Sequence, residues 1–169
     1  MLDFLTDSPV WLVYLAVLFG PFVQEDAAVI AAATLSVTDM ANTTLLFILI
    51  CTGLFISDIW KYWIGWAALK NKNGQAFAEK KHIANMQDQV LSHTFATMVT
   101  GRFVPLTRIP IYIACGFFGV PYLKFCFYIA ITAVMYVVVV FGAFHALGAV
   151  LGEKILWVLP LTALIGVGV

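Results

Sequence analysis

The sequence predicts an all-α membrane protein with two opposed re-entrant helical hairpins plus spanning helices in an inverted-repeat arrangement. Three observations carry that class. Hydrophobic residues make up 63% of the 169-residue chain and charged residues 11%, where soluble domains hold about 45–50% apolar residues. A soluble chain with so little polar surface would not stay dissolved. Two apolar stretches, 44–70 and 120–151, are long enough to cross a hydrocarbon core of about 30 Å. Two others, 10–37 and 95–119, are interrupted by proline and charge.

The length suits a single membrane domain, 1–169. Residues 1–43 form the N-terminal segment and first hairpin. Ser8-Pro9 marks a helix start. The first basic residue is Lys61, so there is no positive n-region and no cleavable leader is expected. From Val10 to Val37 the chain is apolar except at Gly20-Pro21 and Gln24-Glu25-Asp26. One kinked span could accommodate this. A hairpin is the better reading, because a single span would leave a glycine-proline break and two carboxylates near its middle. The hairpin would run as helix to about Phe19, turn at 20–26 and return at 27–36.

Residues 44–70 contain no proline and read as a spanning helix. Asp58 lies twelve residues before Lys70, or about 18 Å at 1.5 Å per residue, which places it near mid-membrane. Lys61 follows three residues on, on the same face, and reads as its structural partner. Asp58 itself reads equally well as half of that pair or as a cavity-lining acid. Residues 71–94 are hydrophilic, with Phe77, Ile83, Met86 and Val90 at roughly helical spacing, as in a helix lying on the membrane surface. Four lysines, Lys70, Lys72, Lys80 and Lys81, mark this loop as cytoplasmic, since residues 1–43 hold no basic residue.

Residues 95–119 form the second hairpin. Within them Gly101-Arg102-Phe103-Val104-Pro105-Leu106-Thr107-Arg108-Ile109-Pro110 sets two arginines and two prolines in an apolar context. An arginine at membrane depth costs about 2.5–3.5 kcal/mol, so the pair needs partners, water or a ligand. Prolines obstruct a straight helix, and broken backbone at that depth is tolerated only where protein buries it or it lines a wet cavity. Residues 120–151 supply the next spanning helix. The final apolar helix, 155–169, is short for a span, so it is either trimmed or ends within the membrane. Gly20-Pro21-Phe22-Val23 and Gly101-Arg102-Phe103-Val104 share a Gly-x-Phe-Val start, each followed by charge and then by small residues. This is the pattern of an inverted repeat whose broken tips meet near the midplane.

Six ionisable residues fall at membrane depth: Glu25, Asp26, Asp58, Lys61, Arg102 and Arg108. Unpaired, they would together cost about 15–20 kcal/mol on the same insertion scale, more than a small fold's margin. One reading is a salt-bridge cluster that fixes helix packing. A buried pair is often replaceable by apolar residues without loss, however, so retaining six leans toward work on a charged substrate. Arginine's planar fork suits a phosphate headgroup, which assigns Arg102 and Arg108 to substrate binding. Carboxylates can take up and release protons, which assigns Glu25, Asp26 and Asp58 to coupling. His145 is a candidate relay member, though a lone histidine near a helix end is more often an interface residue.

Other chemistries lack a basis. There is no His-Glu-x-x-His metal helix, no Gly-x-Ser-x-Gly elbow and no glycine-rich phosphate loop. No enzyme activity, cofactor or metal is therefore expected. Zero net charge gives no argument for nucleic acid. Cys51, Cys115 and Cys126 lie singly in apolar runs and read as core residues.

With these residues in view, the chain resembles the DedA family, also called SNARE-associated or VTT-domain membrane proteins, over roughly Gly20 to Leu151. Gly101-Arg102-Phe103 with Arg108 and Gly116 is similar to the family's Gly-Arg-Phe-x-Pro-x-x-Arg segment and the glycine after it. Ser57-Asp58 with Tyr62 and Gly65 is similar to its Gly-Asp-x-x-x-Tyr-x-x-Gly segment. Asp26 stands at the acid that usually follows Phe-x-Pro-Gly, here Phe22-Val23-Gln24-Glu25. The resemblance implies two opposed re-entrant hairpins and movement of lipid between leaflets. The cargo it implies is undecaprenyl phosphate or phospholipid, coupled to H+ or Na+, in a bacterial inner membrane. Asp26, Arg102, Arg108 and, less directly, Asp58 inherit roles from it, with Lys61 and Tyr62 in support. An oligomer is compatible with it. The chain departs from the pattern at Tyr14, Trp66 and Tyr136, where the family often has an acid, an arginine and a tryptophan. A non-transporting structural or assembly factor is the alternative.

Overall fold

A computed structural model of the chain describes residues 10–71, 81–104 and 107–151, and among these the only regular structure is helical. Seven helices follow in order: α1 Val10–Val23, α2 Glu25–Val37, α3 Thr43–Lys70, α4 Lys81–Ser92, α5 Thr94–Phe103, α6 Arg108–Phe117 and α7 Tyr122–Leu151. Two of them are long and apolar enough to cross a membrane, Thr43–Lys70 and the Tyr122–Ala149 part of α7, at 28 residues each. At 1.5 Å per residue each reaches about 42 Å, longer than the hydrocarbon layer. Only 33% of the most apolar window of each is buried. The rest of their side chains, including Ile48, Ile56, Phe127 and Val138, face outward, as in a helix whose outer solvent is lipid.

Two compact units divide the chain, one of residues 10–54 with 134–151, the other Phe55–Ala133. In the first unit α1 and α2 fold back on each other. A Cβ built on Gly20 would lie 2.9 Å from that of Ala28, and the Asn42 N–H donates to the Tyr14 hydroxyl at 3.2 Å. Along one straight helix, residues 14 and 42 would stand about 42 Å apart, so the chain does not run on as a straight helix through this region. The fold-back is tighter than expected. Helix α1 runs through Pro21 to Val23, Gln24 alone breaks the chain with extended backbone, and α2 begins at Glu25. Pro21 gives up the N–H bond to the Val17 carbonyl, a cost the helix bears inside its last turn. Helix α2 ends in a Schellman cap: Asp39 N–H bonds to the Ser36 carbonyl and Met40 N–H to that of Leu35, with Asp39 at φ 53. Asn42 then caps α3, its side-chain oxygen accepting the Leu45 N–H at 3.1 Å.

The second unit repeats these devices. Helices α5 and α6 are close enough for a Cβ on Gly101 to meet Ile111 Cδ1 at 2.8 Å. Helix α6 ends in the same cap, Gly119 N–H to the Gly116 carbonyl and Val120 N–H to that of Cys115. Here the left-handed residue is Gly119, at φ 73, where glycine carries no Cβ penalty. The freed Val120 carbonyl accepts the Tyr62 hydroxyl at 2.7 Å. Tyr62, Met98, Tyr112, Cys115, Val120, Phe125 and Ile129 form this unit's core. Gly65 and Gly116 let α3 and α6 touch backbone to backbone: a Cβ on Gly65 would overlap the Ile113 carbonyl oxygen, and one on Gly116 that of Tyr62.

The surface segment expected at 71–94 contains helix α4, Lys81–Ser92; residues 72–80 and the apolar stretch 155–169 lie outside the described residues.

Candidate functional site

The second unit gathers four buried charged side chains. Asp58, in mid-α3, is fully buried and uses both carboxylate oxygens. Oδ1 accepts from Lys61 Nζ at 2.7 Å and Oδ2 from Arg102 Nη2 at 2.6 Å. The first contact spans one helical turn. The second joins residues 44 apart in sequence, so Asp58 ties α3 to the end of α5. Arg102 occupies the last turn of α5, where a cation also suits the negative end of the helix dipole. Arg108 opens α6, is buried, and reaches back with Nη2 to the Arg102 carbonyl at 3.5 Å. That carbonyl lies among the four at the end of α5 that have no partner within the helix. Thr107 closes the same end, its hydroxyl donating to the Val104 carbonyl at 2.9 Å.

Tyr112 stands one turn beyond Arg108 and is fully buried. Lys61 Nζ and Arg102 Cζ each lie 5.9 Å from its ring centroid, so the ring sits against both cations at a cation–π distance. The ring edge packs on Phe125, with centroids 5.9 Å apart at 87°.

In the first unit the acids lie in the first turn of α2, at the positive end of its dipole. Asp26 is exposed and Glu25 half-buried. Asp26 Oδ1 accepts the Tyr136 hydroxyl of α7 at 2.8 Å. His145 is exposed and belongs to a different polar group. Its Nδ1 lies 2.9 Å from the Phe141 carbonyl, an acceptor, so Nδ1 carries the proton. Nε2 lies 3.4 Å from Ser36 Oγ, which donates to Thr43 Oγ1 at 2.9 Å.

The ion pair expected from the Asp58–Lys61 spacing is therefore present, and Arg102 joins it. Asp58, Lys61, Arg102 and Arg108 come together in one unit, while Glu25, Asp26 and His145 belong to the other. Tyr62 lies one residue beyond Lys61 but points its hydroxyl to Val120, in the core. Sequence reading passed over Tyr112 and took Tyr136 only as a departure from the family pattern, without a partner for it. A signal existed for the first: a tyrosine on an apolar helix four residues after an arginine shares its face, and its hydroxyl needs a partner. Nothing short of the fold pairs Tyr136 with Asp26, 110 residues away.

No curated protein and no solved structure matches the chain. The family model of the VTT domain matches residues 7–146, which takes in both charged groups and both apolar helices of spanning length. The chain is therefore a membrane protein belonging to the VTT-domain family, the DedA family.

Proposed function

We propose that this protein carries an anionic lipid, such as undecaprenyl phosphate or a phospholipid, between the leaflets of a bacterial inner membrane. In this reading Arg102 and Arg108 bind the phosphate headgroup. Glu25, Asp26 and Asp58 handle the H+ or Na+ whose gradient drives the cycle. The two helix pairs, α1–α2 and α5–α6, are opposed re-entrant hairpins of an inverted repeat. Their shared local structure supports this: each sets the glycine of Gly-x-Phe-Val against a side chain of the returning helix, and each returning helix ends in the same cap before a long helix. The 71–94 loop faces the cytoplasm, as its lysines suggest.

The observation that carries the proposal is the arginine pair itself, buried at the break of α5 and α6. Arg102 is anchored through one nitrogen only in the contacts described. Apolar replacement of a buried ion pair is often no less stable, so its retention leans toward a role beyond packing. The test is movement of a fluorescent lipid phosphate in vesicles reconstituted with pure protein, with and without a pH gradient. Arg108→Lys keeps the charge but loses the planar fork, and is expected to lose most transport. Normal transport by that variant rules out fork recognition at Arg108. No transport by the wild type, with a partner still co-purifying with Asp26→Asn, favours an assembly factor instead.

A further inference from the structure

A buried guanidinium normally bonds along its whole edge, and Arg102 does not. Of its five N–H groups, those on Nη2 face Asp58, while Nε and both protons of Nη1 have no partner among the described residues. The Tyr112 hydroxyl faces Arg102 closely enough to interact with it, and its own proton has no acceptor among the described residues. Both side chains are fully buried. Large majorities of buried polar atoms in folded proteins are bonded, and an orphan bears the full cost of its lost hydration. Two orphaned residues side by side, in a protein with little polar interior to spare, call for a ligand.

The missing partner has a definite chemistry. Arg102 offers only donors, and the tyrosine hydroxyl can donate as well. Asp58, with a cation on each of its oxygens, leaves these groups unmet. An amine or metal cation would be repelled. A single carbonyl would satisfy one group and leave the others. A tetrahedral oxyanion carries several acceptor oxygens pointing in different directions, and it carries the charge that Arg102 favours.

We propose that Arg102 and Tyr112 together form a receiving niche for a phosphate-type oxyanion, with the Tyr112 hydroxyl as its specificity-determining donor. This deepens the headgroup reading of Arg102 and rests on it, adding a residue outside the charged set. Tyr112 is well placed for the task. Packing on Phe125 fixes its ring, and the flanking cations hold the same cluster. Dry surroundings strengthen each hydrogen bond once the ligand is in place.

The experiment uses the full-length protein in phosphatidylcholine nanodiscs. Thermal unfolding is followed against sodium phosphate, with sodium chloride at equal ionic strength as reference, and again in nanodiscs containing phosphatidic acid. The wild type is expected to be stabilised saturably by at least one of the two probes. Tyr112→Phe keeps the ring and deletes only the orphaned hydroxyl, so without probe it melts at or above the wild-type temperature. Its affinity for the probe falls about tenfold, equivalent to about 1.4 kcal/mol. Response to phosphatidic acid alone identifies the ligand as a lipid headgroup. Response to free phosphate alone keeps the niche and defeats the lipid-transport reading instead. The inference is overturned if neither probe stabilises the wild type, or if Tyr112→Phe responds as the wild type does.

Discussion

Asp58 balances two cations with one carboxylate, each oxygen holding one of them. Lys61 and Arg102 are both buried beside it, so removing the charge would leave like charges facing each other in a low-dielectric interior. Breaking such a group costs about 3–5 kcal/mol. Asp58→Asn preserves shape and hydrogen-bonding reach, and should therefore lower the melting temperature in detergent sharply. Adding Lys61→Met should restore part of the loss, since it removes one of the two buried cations beside that site. A melting temperature unchanged in Asp58→Asn would show that the carboxylate is not what holds α5 to α3. At this scale, sequence is informative only over short distances. Spacing of three along one helix was enough to pair Asp58 with Lys61. Arg102 needs the chain to travel through α4 and most of α5 before it returns, and no local pattern encodes that.

Among elements, the contact of α3 with α6 depends on two glycines that serve each other. Gly65 receives the Ile113 carbonyl and Gly116 that of Tyr62, so each helix lends its backbone to the other's gap. Small residues take this part in membrane proteins generally, because close approach must replace the hydrophobic effect between helices. A methyl group at either position meets backbone, which cannot swing aside as a side chain can. Gly65→Ala and Gly116→Ala should each destabilise by at least the 1–3 kcal/mol typical of overpacking, read by thermal unfolding in detergent. Equal stability in both variants would mean the helices do not pack this closely. The breaks themselves were legible: glycine, proline and charge in apolar runs located both helix pairs. Their tightness was not, because Gly20-Pro21 looks like a turn on paper. Pro21 instead lies inside α1, and the single residue Gln24 makes the reversal.

For the molecule as a whole, charge is sorted along the chain. The described part of the first unit, residues 10–54 with 134–151, holds Glu25, Asp26 and Asp39 and no lysine or arginine. Phe55–Ala133 holds every described lysine and arginine. Such a bias orients membrane proteins with the basic loop inward, and the helix pairs add a sharper expectation. Because Tyr14 bonds to Asn42, the start of α1 and the start of α3 belong at one end of the first unit. If α1–α2 is re-entrant, Val10→Cys and Met40→Cys must then be reached from the same side of the membrane. If α3 then spans the membrane between residues 43 and 70 and the basic loop is cytoplasmic, Gln75→Cys is expected to be reached from the other side, together with Ser92→Cys and Gly119→Cys, which flank α5–α6. With Cys51, Cys115 and Cys126 replaced by alanine, an impermeant maleimide applied to intact cells should label positions 10 and 40. Positions 75, 92 and 119 should react only after permeabilisation. Labelling of 10 and 40 from opposite sides would undo the fold-back of α1 on α2, and labelling of 92 and 119 from opposite sides would undo that of α5 on α6. Either result removes the inverted repeat, and with it the symmetry by which one elbow would serve each leaflet.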